Sequence, residues 1–110
     1  MGRAPRRLIT HPNVPEDILE TAAFYEQQDA SLAWEIFHLY DQRIKFIEQF
    51  PELSSYYFAE YRHIYLLPFS NFIVYRVKSD RIDVLALLDG RRDPRRNREL
   101  VTNRAVTVKP

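Results

Sequence analysis

The spacing of apolar residues changes at Pro51, and this change limits the fold more than any other feature of the sequence. Before Pro51, apolar residues recur every three or four positions, which is the period of an amphipathic helix. After it come three short β-prone runs with a period of two, YRHIYLL, FIVYRV and IDVLALL. Helices followed by a group of strands predict an α+β fold.

Two helices are predicted between a first strand and this group of strands. The run RLITH, residues 7–11, is β-prone and is followed by a proline. A proline followed by two acids is typical of a helix start, so the first helix covers residues 13–28. Asp29 or Ser31 can cap a second helix that ends before Pro51. The short connection predicts a helical hairpin, in the order β-α-α-β-β-β, on one face of a small, mostly antiparallel sheet.

Apolar residues are expected on both faces of this sheet. Phe72 and Val74 oppose the face that packs on the hairpin, and strict alternation places Leu85 and Leu87 opposite Val84. A sheet packed by helices on one face is usually polar on the other. The pattern therefore predicts either a partner or a further covering segment.

The length of 110 residues predicts a single domain, with a core at about residues 7–100 and a tail at 101–110. The tail is expected to be disordered or to add a short edge strand. No run approaches the roughly 20 apolar residues of a membrane span, and the opening residues lack the apolar stretch of a signal peptide. A cytoplasmic protein is the expectation.

The amino-acid composition argues against several kinds of site. Cysteine is absent, which excludes disulfides and thiolate metal sites. The three histidines fall on different predicted elements, and the only glycines are Gly2 and Gly90, too few for a phosphate-binding loop. We therefore expect neither a metal nor a cofactor.

Charge is unevenly distributed along the chain. Residues 16–60 carry ten acidic against two basic residues, whereas residues 90–104 carry six arginines against two acids. Opposite fields on one small domain favour an oriented encounter with a charged partner, although they also serve solubility.

Five of those arginines directly follow the last predicted strand, in LLDGRRDPRRNREL, residues 87–100. They are Arg91, Arg92, Arg95, Arg96 and Arg98. Pro94 can begin a turn or a short helical turn, and Asp93 can pair with a neighbouring arginine. Clustered guanidiniums bind phosphates or carboxylates, but this stretch lacks the aromatics of a single-strand binder. The alternative is a solvated basic end.

His63 is the histidine with the most suggestive setting, because it shares a strand face with Tyr61 and Tyr65. A histidine beside tyrosines and opposite arginines has the parts for RNA phosphodiester cleavage, namely a base, an acid and a cation for the phosphorane. The simpler interpretation is a surface or aromatic-packed histidine.

Together these features resemble toxins of the RelE/ParE superfamily, the toxin halves of bacterial type II toxin-antitoxin pairs. The likeness covers about residues 7–96, and its most specific part is VYRVKSDRIDVLALLDGRRDP. Asp89 stands where many members carry a histidine. The resemblance implies a toxin neutralised by a small antitoxin that wraps around it. The implied antitoxin contacts are Trp34, Phe72, Val74, Leu85 and Leu87.

The superfamily divides into two activities. RelE-like members cleave mRNA in the ribosome, and on that reading His63, Tyr65 and Arg92 are the catalytic candidates. Phe72 and Arg98 depart from that pattern, since an arginine and a tyrosine are usual near those positions.

ParE-like members inhibit DNA gyrase, and the GRRDP ending looks more like theirs. The resemblance therefore favours a toxin that binds gyrase and performs no chemistry itself. The target-binding candidates are Arg91, Arg92, Asp93, Arg95 and Arg96. A third alternative is a non-toxic binding module of the same fold.

Overall fold

A computed structural model describes residues 6–109 and contains, within that range, five strands and three helices. The strands are β1 (Arg7–Thr10), β2 (Tyr56–Phe58), β3 (Tyr61–Tyr65), β4 (Asn71–Val77) and β5 (Arg81–Asp89). The helices are α1 (Val14–Glu26), α2 (Ala30–Gln49) and α3 (Pro94–Thr107). The predicted α+β class with its helical hairpin is confirmed, while β2 and α3 are absent from the sequence prediction.

The strands form one sheet in the order β1-β5-β4-β3-β2. Only the β1–β5 pair is parallel among these five strands, and the other three pairs are antiparallel. A tight turn joins β4 to β5, in which the N–H of Lys78 donates to the carbonyl of Arg81 at 2.8 Å. The expected mostly antiparallel sheet is therefore the one found.

The hairpin of α1 and α2 packs on one face of the sheet. Asp29 caps α2, and its carboxylate accepts the N–H of Ser31 at 2.9 Å. The buried side chains of this layer include Val14, Ile36, Ile47, Ile73 and Tyr75. The shortness of the α1–α2 connection and the apolar stripes of both helices produce this layer, as predicted.

Helix α3 replaces the expected tail. Asp93 caps it by accepting the N–H of Arg95 at 3.0 Å, and Pro94 occupies its first turn. The ion pair predicted between Asp93 and a neighbouring arginine is not among the salt bridges of residues 6–109. The expectation of a disordered or strand-like tail is wrong as far as Thr107, where α3 ends, and residue 110 lies outside the described residues.

Helix α3 covers the sheet face opposite the hairpin. Val101, Ala105 and Val108 pack against a buried cluster that includes Phe72, Val74 and Leu85. Of the two predicted alternatives, a partner or a covering segment, the described structure contains the covering segment. The chain's own helix buries the sheet residues predicted to contact an antitoxin, so they are inaccessible to a partner while α3 is packed in this way.

A β-bulge decides which residues of β5 face α3. The β4–β5 pairing shifts by one residue after Val74, which leaves Leu85 as the extra residue. Leu85 and Ala86 both pack under α3, whereas Leu87 turns into the hairpin core and is also buried. Strict alternation placed Leu87 with Leu85, and the bulge makes that prediction wrong.

A buried ion network lies where α3 ends. Asp83 is 0% exposed; its Oδ2 accepts from Nε and Nη2 of Arg76 at 3.1 and 2.7 Å, and its Oδ1 accepts from Nε of Arg81 at 2.9 Å. Nη2 of Arg76 also donates to the carbonyl of Ala105 at 3.1 Å. The network satisfies a buried carboxylate and attaches α3 to the sheet.

The edge of β5 beyond the end of β1 is closed by side chains. Oδ2 of Asp17 accepts the N–H of Leu87 at 3.1 Å, and Nη1 of Arg104 donates to the carbonyl of Leu85 at 3.1 Å. Asp17 and Arg104 are joined by two further hydrogen bonds of 2.6 and 3.0 Å. This Asp17–Arg104 clamp satisfies backbone groups that the sheet leaves unpaired and joins α1 to α3.

His11 adds a neutral contact beside this clamp. Its Nδ1 accepts the N–H of Asn13 at 3.1 Å, so the proton of the neutral ring lies on Nε2, which donates to Oγ1 of Thr107 at 2.9 Å. Burial and the charge of Arg104 lower the pKa of His11, and Asp17 opposes them.

Stability is therefore expected to fall as the pH falls below about 6.5. The unfolded chain gains a proton on His11 there, while the folded chain resists protonation because burial and the charge of Arg104 disfavour the charged ring. The contribution is fully present above that pH and is lost as the pH approaches the lower pKa of the folded state. Urea unfolding at a series of pH values measures it, and His11→Asn should flatten the dependence. An identical pH dependence in that variant would contradict the assignment.

Candidate functional site

The five arginines that follow β5 form an exposed surface, named here the arginine corner: Arg91, Arg92, Arg95, Arg96 and Arg98. Arg91 and Arg92 lie in the connection between β5 and α3, and the other three lie in the first turns of α3. Of the five, only Arg91 forms a salt bridge with a carboxylate of residues 6–109. The other four guanidiniums have no salt bridge within that part of the chain and can bind a partner.

Asp89 fixes the first arginine of the corner. Its Oδ1 accepts the N–H of Arg91 at 2.9 Å and Nε of Arg91 at 3.0 Å, while its Oδ2 accepts Nη2 at 3.0 Å. The side-chain hydrogen bonds from Arg91 lower the pKa of Asp89, with smaller contributions from the Arg91 backbone and the charges of Arg91 and Arg92, against burial. The acid at this position therefore orders the connection as a fixed anion.

Gly90 holds the corner close to the sheet. Its N–H donates to the carbonyl of Ser70 at 2.8 Å, and a Cβ atom at this position would lie 2.7 Å from that same oxygen. Only glycine fits there without a shift of the backbone. The same Cβ position lies 3.7 Å from the hydroxyl of Tyr65, so the corner adjoins the aromatic residues of β3.

A cavity of about 190 Å³ opens between α1 and the end of β5, and both Arg91 and Arg92 line it. Its apolar lining comes from Phe24, Tyr25, Leu87, Leu88 and Leu100. The guanidinium carbon of Arg91 lies 5.0 Å from the ring centroid of Phe24, in a cation–π contact. Its polar lining also includes Asn71 and three acids, Asp17, Glu20 and Asp89.

His63 lies in an aromatic cluster on the α3 side of the sheet. Its ring centroid is 5.3 Å from that of Tyr57, 5.6 Å from Tyr65 and 5.5 Å from Phe72. Its Nδ1 lies 3.2 Å from the carbonyl of Ser55. The half-buried ring is packed among aromatics, which is the simpler of the two sequence interpretations.

The chain is similar in sequence to known toxins. The chain is 34% identical over 90 residues to Toxin ParE2 of Mycobacterium tuberculosis strain CDC 1551 / Oshkosh, and equally to Toxin ParE2 of strain ATCC 25618 / H37Rv. Each alignment covers 81% of this chain and 86% of the toxin. The chain belongs to the ParE toxin family. The resemblance to the RelE/ParE superfamily is thereby confirmed.

A solved structure described as the chromosomal ParDE TA system from P. aeruginosa matches the ParE-family chain with a TM-score of 0.56. The match covers 74% of this chain and 92% of that one, at 11% identity, and shows the fold alone. No protein-family model matches the sequence.

Of the three residues predicted for nuclease activity, His63 and Tyr65 are in contact in this ParE-family chain, with ring centroids 5.6 Å apart. Arg92 lines the cavity beside α1, whereas His63 and Tyr65 belong to the aromatic cluster on the α3 side of the sheet. Within residues 6–109, no hydrogen bond joins either of them to Arg92.

The target-binding candidates separate into two roles. Arg91, Arg92, Arg95 and Arg96 are exposed on the corner, and Asp93 is the cap that orients α3. Sequence reasoning missed Asn71, which the sequence shows only as a polar residue at the start of β4.

Neither a metal-binding cluster nor a membrane-spanning helix is found among the described residues of the ParE-family chain. No three histidine, aspartate or glutamate side chains among residues 6–109 are grouped so that they could hold a metal ion. None of the three helices in that range combines the length and apolarity needed to cross a membrane.

Proposed function

We propose that this chain is the toxin of a type II toxin-antitoxin pair, that it inhibits DNA gyrase, and that a cognate antitoxin neutralises it. Its relatedness to Toxin ParE2 supports the toxin role, and the ParDE description of the solved structure supports an antitoxin partner. The arginine corner is the surface proposed to meet gyrase.

The observation that carries this proposal is the ordered backbone that holds the arginine corner. Gly90 packs against Ser70, Asp89 holds Arg91, and Asp93 caps the helix that bears Arg95, Arg96 and Arg98. A surface ordered before binding loses less conformational entropy on association. Its unpaired guanidiniums suit the acidic groups of a gyrase–DNA complex, and charge complementarity favours rapid, oriented binding.

The placement of His63 supports binding without chemistry. A general base must reach the hydroxyl proton while a cation contacts the same phosphate. His63 is packed between aromatic rings, and Arg92 lines a cavity beside α1. We therefore assign inhibition to contact with the target and not to cleavage.

The outer face of the helical hairpin is the proposed antitoxin contact. Trp34 is 75% exposed there, and its ring centroid lies 6.1 Å from that of Phe37. A large exposed aromatic is a typical anchor of a protein interface. Trp34→Ala is expected to weaken binding of the antitoxin.

A gyrase supercoiling assay tests the proposal. The purified chain should inhibit supercoiling, and Arg92→Ala should raise the half-inhibitory concentration roughly tenfold, as expected for loss of one charge-assisted contact. His63→Ala is the matched control and should inhibit like the unmodified chain, because His63 lies outside the arginine corner.

Three results would argue against this function. Unimpaired supercoiling at micromolar protein would remove gyrase as the target. Cuts within codons of translated mRNA, lost in His63→Ala, would favour the RelE-like activity instead. Growth without arrest on expression of the chain alone would favour a non-toxic binding module.

A further inference from the structure

The cavity beside the arginine corner has the properties of a side-chain pocket. It lies between α1 and the end of β5 and measures about 190 Å³, room for one side chain but not for a folded segment. We infer that it binds one acidic side chain, with glutamate favoured, from the protein that meets the arginine corner. This inference rests on the proposed function for the partner's identity and adds the chemistry of the contact.

A largely buried amide side chain, that of Asn71, lines this cavity. Asn71 is 3% exposed, and its Oδ1 accepts the hydroxyl of Tyr25 at 3.1 Å. Within residues 6–109 its Nδ2 donates to no acceptor, and the residue belongs to the lining. This nitrogen still reaches solvent, since among residues 6–109 the one fully buried side-chain atom without a partner is Nε of Arg6. A ligand oxygen in the cavity would replace water as its acceptor.

Two charges of the lining have no salt bridge within residues 6–109: Arg92 favours an anionic ligand, and Glu20 opposes it. Asp17 is paired with Arg104, and Asp89 is paired with Arg91. Among the lining residues this leaves Arg92 as a cation with no carboxylate partner in the described chain. An anionic acceptor satisfies both Arg92 and the Asn71 amide.

Glu20 is the remaining acid of the lining and has no salt bridge with residues 6–109. Its charge opposes an anionic ligand across the cavity. Removing the charge of Glu20 should therefore strengthen binding of an anionic ligand, the opposite of the effect expected at Arg92.

The apolar lining separates a carboxylate side chain from a phosphate. Phe24, Leu88 and Leu100 can cover the methylene groups of a glutamate while its carboxylate reaches Asn71. A phosphodiester carries no such apolar arm and would leave this lining uncovered. The pocket thus indicates contact with protein, and not with a DNA backbone, at this point of the surface.

An NMR titration tests the inference with N-acetyl-glutamate N-methylamide as the probe. Saturable shifts are expected for the side-chain amide of Asn71 and for Nε–H of Arg92. Arg92→Gln should weaken the probe at least about fivefold, and Glu20→Gln should tighten it about twofold, since each changes one charge at the cavity. Arg95→Gln is the matched control: it removes a corner arginine outside the cavity lining and should leave probe affinity unchanged.

Three results would contradict the proposed binding of an acidic side chain in the cavity. They are an unmoved Asn71 amide, an equal response to the glutamine analogue, and tighter binding of inorganic phosphate at the same amide. The supercoiling assay on the same preparations separates the two claims. Gyrase inhibition without probe binding removes the pocket alone, whereas probe binding without gyrase inhibition supports the pocket and removes the target.

Discussion

Aspartate in place of Val101 is expected to lower the free energy of unfolding by about 4 kcal/mol or more. Val101 is 0% exposed and lies in the contact between α3 and the sheet. A carboxylate there would have no partner among the apolar side chains around it, so α3 would separate from the sheet or the fold would be lost. Urea unfolding followed by far-UV circular dichroism measures the change.

Val106 provides a matched control on the same helix. It is 83% exposed, so Val106→Asp should change the free energy of unfolding by no more than about 0.5 kcal/mol. Both variants add the same charge to α3, and only burial distinguishes them. Equal stability of the two variants would show that α3 does not cover the sheet.

The second large effect is expected from Arg76→Ala, at about 3 kcal/mol of lost stability. The substitution removes two hydrogen bonds from the fully buried carboxylate of Asp83 and one from the carbonyl of Ala105. Arg81 remains on the other carboxylate oxygen, which places the cost at the lower end for a broken buried ion pair.

Lys78→Ala serves as the comparison for a surface ion pair. Lys78 pairs with Glu60 at 3.5 Å with both side chains largely in solvent, so its loss should cost less than about 1 kcal/mol. Chemical denaturation of both variants under one set of conditions gives the difference. A cost at Arg76 as small as that at Lys78 would contradict the buried network.

The sequence predicted the elements whose hydrophobic period is continuous. The helical hairpin, β1 and the three longer strands follow from spacing, capping residues and prolines, and the placement of Phe72 and Val74 away from the hairpin follows from alternation. These signals are local, so they need no knowledge of neighbouring elements.

The missed features depend on contacts between distant segments. Asp93 and Pro94 signal a helix start, but the residues that follow are polar, and α3 is stabilised by packing Val101 and Ala105 on the sheet. The bulge at Leu85 is invisible to a rule of strict alternation. The cavity joins α1, β4 and the β5–α3 connection, so its lining could not be predicted from any single stretch.

The dependence of the sheet on α3 also bears on the protein's synthesis. Because α3 follows the other described elements in the chain, the ribosome makes it after the sheet, and until then Phe72, Val74 and Leu85 lack their cover. The bonds that close the fold span almost the whole chain, with 87 residues separating Asp17 from Arg104. Long-range closure of this kind is slow, and an uncovered apolar sheet favours aggregation. The nascent chain is therefore expected to expose an apolar sheet face until α3 has been synthesised and has packed against it.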